Sequence, residues 1–151
     1  MKKLLAAGLL FIFTLSSYPA FASGQEVNKL LSDTRQDFYL IKTTFEKSYP
    51  AELRSWKAVR RATGFDIGDF NRRLGQRRLR IRALKTSLNN RPGDRDSLKM
   101  LNRLDSLEAS LFSLVQDYTC ALKDHKNGCL QTADNTEDLI EKGLEDYTVR
   151  K

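Results

Sequence analysis

The stretch that decides how this chain folds is Phe70–Lys85, FNRRLGQRRLRIRALK. It carries Arg72, Arg73, Arg77, Arg78, Arg80, Arg82 and Lys85, with no acid among them. Ile67, Phe70, Leu74, Ile81, Leu84 and Leu88 nevertheless keep the three-and-four spacing that lines one stripe of an α-helix. The spacing predicts a helix that is both a core element and the most charged surface of the chain. Arg77 falls inside the apolar stripe, between Leu74 and Ile81. There it either snorkels, burying its methylenes and sending the charge outward, or meets a carboxylate from a neighbouring helix. Gly75 interrupts the helix at a cost of roughly 1 kcal/mol relative to Ala, and would let another backbone approach closely. Leu79 projects away from the stripe, among arginines.

The helical period continues on both sides. Upstream, Val27, Leu31, Thr34, Phe38, Ile41 and Phe45 predict a helix from about Gln25 to Lys47, widened by Leu30 and stopped by Tyr49-Pro50. Pro50 is expected to open a short second helix, with Ser48 or Tyr49 near its cap and Leu53, Trp56 and Val59 as its stripe. Trp56 reads as a core anchor. Gly64 ends this helix with Phe65 as the trailing hydrophobe, and Asp66 or Asp69 caps the basic helix.

Downstream, Asn89–Asp94 has the composition of a tight turn. The helix after it, from Asp94 or Asp96 to about Asp124, has the broadest apolar face of the chain, Leu98 to Leu122, and is the natural antiparallel partner of the basic helix. A last acidic helix is expected from Asn135 to Tyr147, with Leu139, Ile140 and Leu144 buried. No alternating Val/Ile/Thr segment suggests a strand. The fold class expected is all-α: an elongated antiparallel bundle of four to five helices with one disulfide, following a cleaved signal peptide.

The signal peptide is read at residues 1–22. Lys2 and Lys3 precede the apolar run Leu4–Leu15, and Ala20-Phe21-Ala22 offers small residues for cleavage before Ser23. The run is shorter than the ~20 residues needed to span a bilayer, and no cysteine sits near the cleavage site to carry a lipid. Residues 23–151 are then a single helical domain, placed in the periplasm or secreted. Lys2 and Lys3 leave with the leader, so the formal charge falls from +7 to +5.

Cys120 and Cys129 are the only cysteines, and in an oxidising compartment an even count reads as a disulfide. On one continuous helix they would lie ~13 Å apart along the axis. A disulfide needs Cα atoms within ~7 Å. The helix must therefore break between them, at Lys126-Asn127-Gly128. Closing so short a loop contributes ~2–3 kcal/mol on chain-entropy grounds.

Charge is unevenly spread. Arg54–Arg91 holds 12 basic residues against Asp66 and Asp69, while Asp134–Asp146 holds six acids against Lys142. Such asymmetry points to an electrostatic partner or to the two segments facing each other.

Catalytic constellations are poorly represented. His125, the single histidine, lies in a charged loop between two cysteines, far from any nucleophile–base–orienter pattern. Asp117, Cys120, His125 and Cys129 superficially resemble a zinc knuckle, but depart from its first ligand and last spacing; the disulfide is the stronger reading and no metal or cofactor is expected. Phe70 is the one aromatic in the basic stretch and belongs to the apolar stripe, which disfavours single-stranded nucleic acid as a partner.

The expected function is non-enzymatic: a small exported binding or accessory protein of the bacterial cell envelope. It would engage an acidic protein surface, or an anionic envelope component, through Arg72, Arg73, Arg77, Arg80 and Arg82. The alternative is a small secreted helical enzyme whose arginine-lined pocket holds an anionic substrate; exported helical chorismate mutases are the type of enzyme in mind, without a motif match here.

Overall fold

In the computed structural model, which describes residues 24–89 and 95–147, these apolar periods form five α-helices and, among the described residues, no strand. They are α1 (Gly24–Ser48), α2 (Trp56–Thr63), α3 (Ile67–Asn89), α4 (Arg95–Asp124) and α5 (Asn127–Glu145). The expected leader and most of the turn before α4 lie outside the described residues.

The helices form a bundle with α4 at its centre, packed against α1, α3 and α5. Helix direction follows from the contacts. Lys85 and Arg77 of α3 meet Asp105 and Glu108 of α4, so these two run antiparallel. Lys42 and Arg35 of α1 meet Glu141 and the Leu144 carbonyl of α5, again antiparallel. Thr34 and Phe45 of α1 meet Glu108 and Tyr118 of α4, so α1 and α4 run parallel across the bundle. Chain neighbours among the long helices thus alternate in direction, and the parallel pair lies between α3 and α5.

The core has two parts. One gathers Phe38, Phe70, Leu74, Leu111, Tyr118 and Ile140 near the disulfide end, and Val59 and Phe65 close it. The Phe45 and Tyr118 rings stack there, 3.9 Å between centroids. The other gathers Val27, Leu30, Ile81, Leu84, Leu101 and Leu104 at the opposite end.

Five sequence expectations need correction. The second helix starts not at Pro50 but at Trp56. Residues 49–53 form a turn in which Leu53 N–H donates to the Ser48 carbonyl, 3.1 Å, and Glu52 takes φ 54°. Ser55, extended at φ −159°, is the cap: its hydroxyl accepts from Ala58 N–H at 3.3 Å. The last helix starts not at Asn135 but at Asn127, because the chain breaks at His125–Lys126, one residue earlier than expected. His125 takes the left-handed conformation, φ 48°, and its N–H bonds to the Ala121 carbonyl at 3.0 Å. Leu139 is not buried but 65% exposed; Ala133, Thr136, Ile140 and Leu144 face inward instead. Gly75 makes no close approach: among the described residues, a Cβ there would have no neighbour within 4 Å. The close approach is at Gly143, where a Cβ would stand 2.5 Å from Leu107 Cδ2.

The remaining punctuation is as expected. Gly64 ends α2 at φ 77° and returns its N–H to the Arg60 carbonyl. Asp66 Oδ1 accepts from Gly68 and Asp69 N–H at 2.8 and 3.2 Å, capping α3. Trp56 is a half-buried anchor, packed on Phe65 with its indole N–H donating to Thr119 Oγ1 at 2.8 Å. Cys120 and Cys129 are joined, with Cα atoms 6.0 Å apart, so the bridge staples the end of α4 to the start of α5.

Candidate functional site

One helical period distributes the arginines of α3 over three directions. Arg77 points inward, Arg73 and Arg80 point towards α1, and Arg72 and Arg82 point to solvent.

Arg77 does not snorkel. Its side chain is buried and meets two carboxylates: Nε donates to Glu108 Oε1 at 2.6 Å and Nη1 to Asp37 Oδ2 at 2.8 Å. Glu108 is fully buried and also accepts from Thr34 Oγ1 at 2.5 Å. Asp37 is shared with Arg73, Nη2 to Oδ1 at 3.0 Å. Burial alone would lower the Arg77 guanidinium, but the Glu108 and Asp37 carboxylates outweigh it and hold the group above its ordinary pKa. The cluster joins α1, α3 and α4 at one level of the bundle.

Arg80 Nε donates to Glu26 Oε1 at 2.6 Å. Arg73, Arg77 and Arg80 therefore border an open groove of about 530 Å³ between α1 and α3, together with Asp33, Asp37 and Leu40. Three arginine heads converge on a concavity, yet each already has a carboxylate. The groove is not a bare cationic pocket.

The outward face is different. Among the described residues, Arg72 pairs only with Asp69 of its own first turn, 3.1 Å, in an exposed contact. Arg82 is exposed and joins no ion pair among the described residues. Leu79, between them, is 67% exposed. Arg78 is half-buried, and its Nε has no hydrogen-bond partner among the described residues. Just before and on α2, Arg54, Lys57 and Arg61 are exposed and join no ion pair among the described residues either; Arg60 pairs with Asp66 at 2.9 Å.

The acidic helix does not answer these charges. In α5, Glu137 and Glu141 hold Lys42 of α1, each at 2.9 Å, and raise the ammonium pKa against the opposing effect of burial. Glu137 also accepts the Tyr118 hydroxyl; burial, then Glu137, pushes that phenol up. Asp134, Asp138, Glu145 and Asp146 are exposed and join no ion pair among the described residues. Those cations of α3 that are paired are met by α1, α4 and its own first turn.

At the staple, His125 stacks on Tyr49, centroids 4.8 Å apart, and Asp117 accepts from Thr136 Oγ1 at 3.3 Å. With both thiols in the disulfide, the knuckle-like spacing has no thiolate to offer. Among the described residues, no group of three His, Cys, Asp or Glu side chains could hold a metal ion.

Glu108 and Glu26 do not stand out in the sequence, and Asp37, which reads there with Asp33, Arg35, Lys42 and Lys47 as part of the polar face of the first helix, is buried instead. Asp37 and Glu108 had a signal: each occupies an apolar-stripe position, Asp37 three after Thr34 and four before Ile41, Glu108 four after Leu104 and three before Leu111. A buried-stripe cation with two buried-stripe acids on other helices is the pattern of a closed ion cluster. No protein-family model, curated protein or solved structure matches this chain.

Proposed function

We propose that this is a small exported binding or accessory protein of the bacterial cell envelope, which grips an acidic surface with the outward face of α3. The observation that supports it best is the division among the arginines. Arg73, Arg77 and Arg80 are committed to carboxylates inside the fold, whereas Arg72 and Arg82 flank an exposed leucine with no acid from another helix. A rim of cations around an exposed apolar side chain suits a protein partner, where charge steers and the leucine is buried on contact. The disulfide fits an oxidising compartment, and the leader read at residues 1–22 supplies the route.

The enzyme alternative has one specific support, the groove of about 530 Å³ bordered by Arg73, Arg77 and Arg80. An anionic substrate there would have to displace Asp37 or Glu26 from its arginine, which weighs against it.

The test is capture from native envelope extracts at low and high salt, comparing the wild type with R72E/R82E. The expected result is an acidic partner that is retained by the wild type, released by salt and lost from the variant. Retention of the same partner by R72E/R82E overturns the assignment of the face. Amino-terminal sequencing of the exported protein checks the compartment; a chain beginning at Ser23 is expected.

A further inference from the structure

We propose that the acidic surface this face takes is α5 of a second copy, so that the protein assembles head to tail. The inference rests on the binding reading above and gives its partner an identity.

Three observations carry it. First, α1 and α4 lie between α3 and α5, so the outward faces of α3 and α5 point away from each other. The basic and acidic faces of one molecule cannot meet, but those of two molecules can. Second, each face is built alike, with an exposed leucine at its centre: Leu79 at 67% and Leu139 at 65%. Around Leu79 stand Arg72 and Arg82; around Leu139 stand Asp138, Glu145 and Asp146, with Lys142 the one cation. Third, the charges choose a direction. With Leu79 set on Leu139 and the helices antiparallel, Arg72, seven before its leucine, faces Asp146, seven after the other. Asp138 then lies within a turn of Arg82. The parallel arrangement sets Arg82 against Lys142, each three residues beyond its leucine, and like charges oppose it. Gly75, one turn before Leu79, leaves open space on this face and does not obstruct the approach.

Such a contact uses different surfaces on the two molecules. A pair still has one free α3 face, on one copy, and one free α5 face, on the other, so association continues into chains or closes into rings.

Sedimentation velocity of the protein as its cells produce it tests this, over a concentration series at low salt and at about 1 M salt, where screening length falls to ~3 Å. The wild type should form concentration-dependent oligomers at low salt that dissociate at high salt. R72E/R82E and D138K/D146K should each weaken association about tenfold or more. Mixed in equal amounts, the two variants should associate again, because each reversed face complements a face of the other. A third variant, Leu79→Asp, should be monomeric with unchanged helical content. A wild type that stays monomeric at low salt overturns the inference, as do oligomers that persist in both charge variants or a mixture that does not associate. If the monomeric wild type still loses an acidic envelope partner on R72E/R82E, the binding reading stands and only self-assembly fails.

Discussion

Replacing Arg77 by Leu should destabilise the protein far more than any other single arginine substitution on α3. Among the described residues, the guanidinium supplies the only cation that reaches Glu108, which is fully buried, through the 2.6 Å bond from Nε. Without it Glu108 keeps Thr34 alone, and Asp37 keeps only the half-exposed Arg73. Removing one partner of a buried ion pair typically costs about 3–5 kcal/mol, because the carboxylate left behind is desolvated without compensation. That is a large part of the ~5–15 kcal/mol by which a domain is stable. With a urea slope near ~2 kcal/mol/M, the midpoint should fall by about 2 M. Trp56, packed between Phe65 and Thr119, gives a fluorescence readout, and circular dichroism a second. Replacing all three charges, as R77L/D37L/E108L, should return most of the loss, since the one charge left without its partner, Arg73, is half-exposed and solvated. An R77L midpoint close to that of the wild type would refute the reasoning, as would a triple variant no more stable than R77L.

Further outcomes follow from other features. Reducing the Cys120–Cys129 bridge should cost ~2–3 kcal/mol, seen as a lower urea midpoint with dithiothreitol; an unchanged midpoint would mean the loop is already ordered when the chain is unfolded. Gly75→Ala should stabilise by up to about 1 kcal/mol, because the new methyl meets nothing. Gly143→Ala gains the same propensity but drives its methyl into Leu107, so overpacking of ~1–3 kcal/mol should leave it neutral to destabilised. A thermal scan ranking Gly143→Ala above Gly75→Ala would contradict the α4–α5 contact. Tyr118 and Lys42 both have pKa values raised in the folded state, the phenol chiefly by burial and the ammonium chiefly by Glu137. A raised folded value contributes stability that is complete below the unfolded pKa and lost above it. Stability should therefore decline once pH passes ~10, where these groups ionise in the unfolded chain. Tyr118→Phe should flatten that decline; an identical alkaline slope in the variant would argue against it.

The parts of this fold that sequence reveals are those where apolar spacing is dense. The extents of α1, α3 and α4 follow from runs such as Phe38-Ile41-Phe45 and Leu104-Leu107-Leu111, and the Gly64 and Asp66 boundaries from chemistry that few other residues supply. The starts of α2 and α5 are not legible in the sequence, for one reason. Pro50 and Asn127-Gly128 are both compatible with more than one local structure, and packing and the disulfide choose between them. Ser55 could cap only once Val59 and Trp56 were turned to the core. Asn127 and Gly128 sit tolerably in a first helical turn once the disulfide draws Cys129 towards Cys120. The first turns of α5 also have few apolar side chains, so their period is faint. In the candidate site, the oddness of Arg77 was visible at once, but its partners were not. Asp37 and Glu108 look like ordinary surface acids until the helices are assembled and their stripe positions converge. The same limit hid the separation of the basic and acidic faces, which depends on which helices come between them.

The buried triad has a consequence for uniqueness. A bundle of leucine-rich helices can be assembled with either of two handednesses, or with one helix slipped by a turn, at modest cost to apolar burial. Arg77 distinguishes among these arrangements because it must find carboxylates on two different helices at the same height. A slip of α3 by ~5.4 Å, one helical turn, would leave three charges in the core without partners. The cluster would thus act as a key that admits one phase and one winding of the chain, and replacing all three charges together should change stability little. An R77L/D37L/E108L protein that keeps its melting point but shows multiple or broadened amide resonances would display that role directly; sharp, single resonances would locate the selection elsewhere in the core.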